Sequence, residues 1–208
     1  GTVGATSDTD SYDPYRLVVP SALYTPPDDL AWETPVRAEM ALAEDDHVVV
    51  KLIYADRAAL LDVRAGAPDR FDLKLVPDHP EGVAYMRVGA TPDPKEGLYG
   101  LGESFDSVDQ RGKVRAMQLE LDATLESSDN EAHVPIPLLL GSTGWGLFVD
   151  DPHPGVFDVA SASADRVEAT FGTGVASSAG LAFHVFVAKQ PLDLTRHYYD
   201  LTGYPRLP

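Results

Sequence analysis

Apolar and polar residues alternate along much of this chain in short segments that are separated by dense turn signals. In residues 71–75 and 167–171 the apolar side chains fall on one face of an extended chain, and residues 181–187 follow the same period of two. The sequence contains 17 glycines and 17 prolines, many of which bound these segments. This spacing predicts an all-β fold, a large antiparallel β-sandwich whose two sheets bury their inner faces against each other.

Two regions depart from strict alternation. Residues 47–54 are apolar nearly throughout, which predicts a central strand covered on both faces. Residues 135–140 and 145–150 flank a glycine-bounded loop and predict a β-hairpin. Because Pro135 and Pro137 cannot donate hydrogen bonds to a neighbouring strand, we expect the first strand of this hairpin to begin at a sheet edge.

One short helix is predicted near the end of the chain. Pro191 suits a first helical turn, Leu194, Tyr198 and Leu201 follow at helical spacing, and Gly203 ends the pattern. We therefore expect three regions: a flexible lead-in at residues 1–12, a β-sandwich domain at 13–190, and a helix with a linker at 191–208.

The charge balance narrows the classes of partner. Lysine and arginine total 16 against 33 acidic residues, a formal charge of −17 that would repel nucleic acid and anionic lipid surfaces. The chain has no cysteine, and it contains no apolar run long enough to cross a membrane. The small, polar start is interpreted as a flexible segment or a linker left after cleavage. The compartment stays open, with an exported location (periplasmic or extracellular) favoured over a cytoplasmic one.

Three motifs occur in order in the second part of the chain. Residues 96–103 end in Gly-Leu-Gly-Glu and are followed by Arg111-Gly112; residues 134–150 form the proline-rich hairpin; residues 191–208 form the helix and its continuation. Together they resemble the domain that precedes the catalytic barrel in glycoside hydrolase family 31. The resemblance covers about residues 70–208, and residues 13–69 fit only by their strand pattern.

The resemblance implies a galactose-mutarotase-like sandwich that packs on a (β/α)8 barrel of the same polypeptide and lends a loop to the sugar pocket. In that family two barrel carboxylates perform retaining hydrolysis, and such a pair stands about 5–5.5 Å apart. No catalytic residue is therefore expected within this chain, which we predict to be inactive alone, and no cofactor or metal is expected. The alternatives are a free-standing carbohydrate-binding or adhesive module, or a purely structural sandwich.

Asp122 is the main candidate for a sugar contact. Gln118, Glu120 and Asp122 share one face of the alternating stretch 117–123. Many family members carry a sugar-binding aspartate here, and a carboxylate accepts strong hydrogen bonds from hydroxyl groups. The aromatic residue that accompanies it in the family is missing, since Gln118 or Leu119 stands near its place, which suggests a different substrate preference. The other interpretation of Asp122 is an ordinary solvent-facing strand residue.

Weaker candidates surround the glycine motif and the hairpin. Glu103, Asp106 and Asp109 are close in sequence, so a calcium site or a catalytic pair is one hypothesis, although no calcium-loop spacing is present. For Glu103 we favour hydrogen bonds to the amides of its own turn, with contact to the barrel or substrate as the alternative. Trp145 is a candidate for stacking on a sugar ring, against packing within the hairpin core.

Two further expectations concern surfaces and histidines. The six histidines show no metal-ligand spacing and are interpreted as isolated surface or strand residues. An accessory domain should expose an apolar patch where its barrel docks, and we expect the helix residues Tyr198, Tyr199 and Leu201 to belong to it. Self-association through that patch is then expected.

Overall fold

A computed structural model describes residues 31–104, 106–117, 134–172 and 180–206, together with the backbone of two short strands before them. The strands are β1 (Arg16–Leu17), β2 (Tyr24–Thr25), β3 (Arg37–Ala43), β4 (His47–Ile53), β5 (Ala58–Ala67), β6 (Arg70–Pro77), β7 (Tyr85–Ala90), β8 (Leu98–Gly100), β9 (Lys113–Met117), β10 (Leu138–Gly141), β11 (Trp145–Asp150), β12 (Gly155–Val159), β13 (Val167–Gly172) and β14 (Leu181–Val187). One helix follows, α1 (Pro191–Thr202).

The strands form two main sheets of unequal width. The wide sheet has eight strands in the order β3-β4-β5-β6-β14-β11-β10-β8, and the narrow sheet has four in the order β7-β13-β12-β9. The strands of each pair in both sheets run antiparallel. β1 pairs with β2 in a separate two-stranded sheet. The predicted all-β antiparallel sandwich with one short C-terminal helix is confirmed.

The main core lies between the two sheets. In β13, Val167, Ala169 and Phe171 are buried on the inward face, as the alternation in this segment predicts. Phe171 meets Phe157 of β12 edge to face, with ring centroids 5.8 Å apart. The wide sheet contributes a facing layer of leucine, valine and phenylalanine from β8, β10, β11 and β14. Burial of these apolar side chains is the main stabilising term of the sandwich.

The wide sheet extends past the narrow one, which corrects the prediction for residues 47–54. β4 is the second strand from an edge, and its side chains are half-buried or exposed. No β3 or β4 residue belongs to the core between the sheets within the described ranges. Met40 of the edge strand is 64% exposed. β4 therefore carries apolar residues on both of its faces, but the narrow sheet does not extend over it.

The hairpin is confirmed, whereas its predicted edge position is wrong. β10 pairs with β11 around residues 142–144, and β10 also pairs with β8 on its other side. Pro135 and Pro137 precede the strand, so neither occupies a position that would need a donor. The prolines thus mark the entry into an internal strand.

Helix α1 packs on the outer face of the wide sheet. Pro191 occupies its first turn, and Gly203, with φ +99°, ends it by donating its N–H to the Tyr199 carbonyl at 2.8 Å. Leu194 is fully buried, and Tyr198 meets Phe148 edge to face at 5.0 Å. The described part of the chain contains no helix with the length and hydropathy needed to cross a membrane.

This packing corrects the expected apolar patch on the helix. Tyr198 and Leu201 pack against the outer-face cluster formed with Leu138, Phe148 and Phe186, so they cover the sheet of their own domain. Leu192, which is 79% exposed, and Tyr204 are the large apolar residues near the helix ends that are exposed to solvent. Self-association of the domain stays a prediction.

The helix–sheet contact is tested by a matched pair of leucine variants. Leu194→Ala should lower the free energy of unfolding by about 2–5 kcal/mol, because it leaves a cavity under the helix. Leu192→Ala, on the exposed face of the same helix, should change it by less than about 0.5 kcal/mol. Urea denaturation measures both values. Equal effects at the two positions would contradict the observed packing.

Candidate functional site

One end of the sandwich gathers several connections between the two sheets. Strands β6, β9 and β11 end there, at Pro77, Met117 and Asp150. After each of these strands the polypeptide continues into the other sheet. We call this the rim end, and we call residues 100–103 and 134–137 the rim. β9 ends at Met117 and the described chain resumes on the rim at Val134; residues 118–133, which include Asp122, stand between them in sequence.

The Gly-Leu-Gly-Glu motif holds the rim together through its backbone. Gly100, Leu101 and Gly102 have consecutive positive φ values of 102°, 67° and 88°. A Cβ on Gly100 would lie 2.3 Å from the Leu138 carbonyl oxygen. Leu101 N–H donates to that same oxygen at 2.9 Å. Only glycine allows both this conformation and this approach at low cost.

Leu101 carries a side chain in the left-handed region, which is unfavourable for a residue with a Cβ. It is fully buried in the core between the sheets, so apolar burial offsets the backbone strain. The motif therefore serves structure: it anchors the chain to the core at Leu101 and then delivers Glu103 to the surface.

Glu103 lies on the rim with its side chain exposed. Its backbone N–H donates to the Val134 carbonyl at 3.2 Å, so it borders the point where the segment 118–133 returns. The carboxylate makes no hydrogen bond or ion pair to the described residues, and the expected bonds to its own turn are absent there.

Asp122 lies outside the described residues. The assignment of Asp122 to a sugar contact therefore stays a prediction.

The sequence predicts that Glu103 accepts hydrogen bonds from the amides of its own turn. Glu96 makes contacts of this kind instead, at the end of the sandwich opposite the rim. Its carboxylate accepts hydrogen bonds from Thr143 Oγ1 at 2.6 Å, from Asp93 N–H at 2.9 Å and from Trp145 Nε1 at 3.1 Å. Burial alone would raise the pKa of Glu96, but these hydrogen bonds outweigh it and lower the pKa below its usual range. Sequence reasoning missed Glu96 because its partners in the hairpin are nearly fifty residues away.

Trp145 lies far from the rim. Its ring packs against the core between the sheets, and its Nε1–H is used by Glu96. β11 separates it from the rim end by six residues, about 17 Å of extended chain. The structure thus gives Trp145 the core-packing role, and it does not bring Trp145 and Glu103 together.

Asp106 and Asp109 are engaged by groups of their own loop and of the adjoining strands β8 and β9. Asp106 pairs with Lys113 at 2.9 Å and with the buried Arg115. Burial would raise the pKa of Asp106, but the hydrogen bonds from Lys113 and Arg115 outweigh it and lower the pKa. Asp109 accepts the N–H groups of Leu98 and Arg111. Over the described ranges, no group of three metal-ligating side chains comes together.

Arg111, which follows the Gly-Leu-Gly-Glu run in the first motif, has a structural role. Its guanidinium donates to the carbonyl oxygens of Glu96 at 3.0 Å, Asp93 at 2.8 Å and Ala164 at 2.8 Å. It therefore joins its own loop to two others at the end opposite the rim.

Three of the histidines form a hydrogen bond with an aspartate: His47 with Asp62, His153 with Asp151 and His184 with Asp72.

Similarity to known proteins covers most of the described sandwich. Residues 38–158 match the family described as Glycosyl hydrolase 31 N-terminal galactose mutarotase-like domain. Alpha-xylosidase XylQ of Lactiplantibacillus pentosus is 30% identical over 131 residues, 63% of this chain and 16% of that protein. An alpha-xylosidase of Emericella nidulans is 30% identical over 132 residues, 61% of this chain and again 16% of that protein. The chain thus spans only a small part of these relatives.

Solved structures share the fold. An uncharacterised Listeria monocytogenes protein, crystallised with glucose, magnesium and calcium, aligns with 84% of this chain and 22% of its own at a TM-score of 0.71 and 14% identity. A GH31 sulfoquinovosidase from E. rectale in complex with an aza-sugar inhibitor aligns with 82% of this chain and 26% of its own at a TM-score of 0.60 and 15% identity. At these identities the likeness concerns the architecture.

The close backbone contact at the rim is tested by two glycine variants. A Cβ at Gly102 would lie 2.0 Å from the Val134 carbonyl oxygen, whereas one at Gly112 would meet nothing within 4 Å although its φ is also positive, at 79°. Gly112→Ala should cost about 1–2 kcal/mol of unfolding free energy from backbone strain alone. Gly102→Ala should cost a further 2 kcal/mol or so from overpacking. Similar costs in chemical denaturation would rule out the close contact.

The buried carboxylate at the opposite end should make stability depend on pH. Because the folded-state pKa of Glu96 is lowered, its contribution is fully present above the unfolded-state pKa of about 4.3 and is lost as pH falls through the folded-state value. Glu96→Gln should therefore lower the unfolding free energy at pH 7 by about 1–3 kcal/mol, and by less at pH 3. Glu44→Gln, at an exposed turn, serves as the control. A difference that does not change with pH would contradict this role.

Proposed function

Because this chain belongs to the glycosyl hydrolase family 31 N-terminal galactose mutarotase-like domains, we propose that it is the non-catalytic scaffold of an α-glycosidase. In this proposal the domain supports a catalytic barrel of the same polypeptide and lends the segment 118–133 to the sugar pocket. Hydrolysis itself belongs to the barrel, and the chain alone is expected to be inactive.

The observation that carries the proposal is the packing of α1 on the outer face of the wide sheet. β14 runs away from the rim end, and α1 returns antiparallel to it along the outer face, since Tyr198 contacts Phe148 one strand over. Twelve helical residues advance about 18 Å, nearly the length of the strands beneath. In this proposal the chain after Thr202 leads toward the rim end. A barrel that continues from this point would meet residues 100–103 and the segment that carries Asp122.

The charge state of the acidic residues in the loops supports the assignment of hydrolysis to the barrel and not to this domain. A retaining mechanism needs two carboxylates on either side of the glycosidic bond, one of them protonated to act as an acid. Asp106 and Glu96 have lowered pKa values and are engaged by internal donors, which suits structural anions and not a proton donor. Two curated relatives are named alpha-xylosidases and another is named an isomaltosyltransferase, so an α-linked pyranoside is the proposed substrate class.

Asp122 is the proposed contribution of this domain to substrate binding. In the protein that carries this chain with its catalytic domain, Asp122→Asn should lower kcat/KM for p-nitrophenyl α-xyloside or α-glucoside about tenfold or more, mainly through KM. Hydrogen bonds to a charged group are worth roughly 1.5–3 kcal/mol, and 1.4 kcal/mol corresponds to a factor of ten.

The control is Glu44→Gln, which removes an exposed carboxylate at the end opposite the rim and should leave the kinetics unchanged. Unchanged kcat/KM for Asp122→Asn, with the variant correctly folded, would overturn the assignment of Asp122.

A further inference from the structure

A cavity of about 140 Å³ opens between the two sheets at the rim end, on the side of β7. β7 and β9 are opposite edges of the narrow sheet, three strand spacings or about 14 Å apart, so this cavity is separate from the rim. Its apolar floor comes from β5, β6 and β7, and its polar and aromatic wall includes Trp32, Glu33, Tyr54, Arg57 and Arg87. Its volume exceeds by about tenfold what one ordered water needs.

Trp32 forms a fixed aromatic platform at this cavity. The guanidinium of Arg87 lies 3.9 Å from the centroid of its ring. Arg87 is itself held by Thr170 Oγ1 at 2.9 Å and by Glu168 at 3.0 Å. The indole is nevertheless 39% exposed. Trp32 is therefore positioned by a chain of contacts from the sheet while much of its apolar surface stays available.

The opposite wall offers hydrogen-bonding groups. Arg57 Nε lies 3.5 Å from carboxylate oxygens of both Glu33 and Asp56, and it is buried without a hydrogen bond. Burial, with the charge of Glu33 adding to it, raises the pKa of Tyr54, so its hydroxyl stays a donor at neutral pH. A ligand here would find a carboxylate acceptor, a guanidinium donor and a phenol within one small space.

Both guanidinium groups at this cavity have carboxylate neighbours. Arg57 lies beside Glu33 and Asp56, and Arg87 lies beside Glu168, so neither is an unpaired cation that would select an anion. An aromatic face beside paired donors and acceptors suits a neutral molecule with an apolar face and hydroxyl groups at its edge, which describes a pyranose ring.

We propose that this cavity binds one neutral pyranose unit of a glycan, with the ring against Trp32 and its hydroxyl groups toward Glu33, Tyr54 and Arg57. The choice of a sugar rests on the proposed function, while the location rests on the cavity itself. Bound there, a glycan would be held at the same end of the domain as the rim, which would keep a longer substrate close to the catalytic pocket.

The two tryptophans of the chain make a direct test possible. Trp145 is packed in the core with its Nε1–H bonded to Glu96, so Trp32 is the tryptophan whose emission should respond to a ligand. The 208-residue chain is titrated with D-xylose, D-glucose and maltose to roughly 100 mM, with sorbitol as an open-chain polyol control. We expect a saturable emission change with a Kd on the order of 1 mM for at least one sugar and none for sorbitol.

Three variants locate the binding. Trp32→Phe should abolish the fluorescence response, and Glu33→Gln should weaken binding about fivefold or more by replacing the carboxylate acceptor. Asp122→Asn tests whether the sugar occupies the rim instead. Chemical shifts of the backbone amides of β7 in a ¹⁵N NMR titration give a second readout that does not depend on tryptophan.

Absence of saturable binding by both methods would overturn the cavity proposal. Binding that survives in both Trp32→Phe and Glu33→Gln would overturn it as well. Binding that is lost only in Asp122→Asn would assign the sugar to the rim, so that the proposed function stands while this site does not.

Discussion

Two sheets of unequal width share one apolar layer, and the positions of the rim, the hairpin and the cavity are all set relative to it. Phe157 and Phe171 of the narrow sheet fill the centre of that layer. Leu101 enters it from the rim, and Trp145 closes it at the other end. Since packed interiors tolerate little change of volume, loops anchored by such side chains are fixed in place. The sandwich is therefore a rigid base for the loops at its two ends.

The family motifs act through the backbone more than through chemistry. The two glycines of Gly-Leu-Gly permit close approach to the strand entry at residues 134–138, and Arg111 joins its own loop to two others through their carbonyl oxygens. Neither feature contributes a reacting group. The glycines fix the position of Glu103 beside Val134 on the rim, whereas Arg111 fixes loops at the opposite end of the sandwich.

Much of the fold follows from local pattern, whereas the polar contacts do not. The period of two in residues 167–171 and the spacing of Leu194, Tyr198 and Leu201 are local, and both elements form as predicted. β4 was wrongly placed because an apolar run does not reveal how far the opposite sheet extends. Glu96 was missed for a related reason, since its partners Thr143 and Trp145 are distant in sequence. Trp32 and Arg57 likewise meet only in the folded chain.

A crystal structure of this chain together with the catalytic domain of its polypeptide, with a sugar bound, tests the central claim most directly. The account predicts that residues 100–103 border the catalytic pocket and that a carboxylate oxygen of Asp122 lies about 3 Å from a sugar hydroxyl. A pocket at the opposite end of the sandwich, beside Trp145 and Glu96, would contradict it.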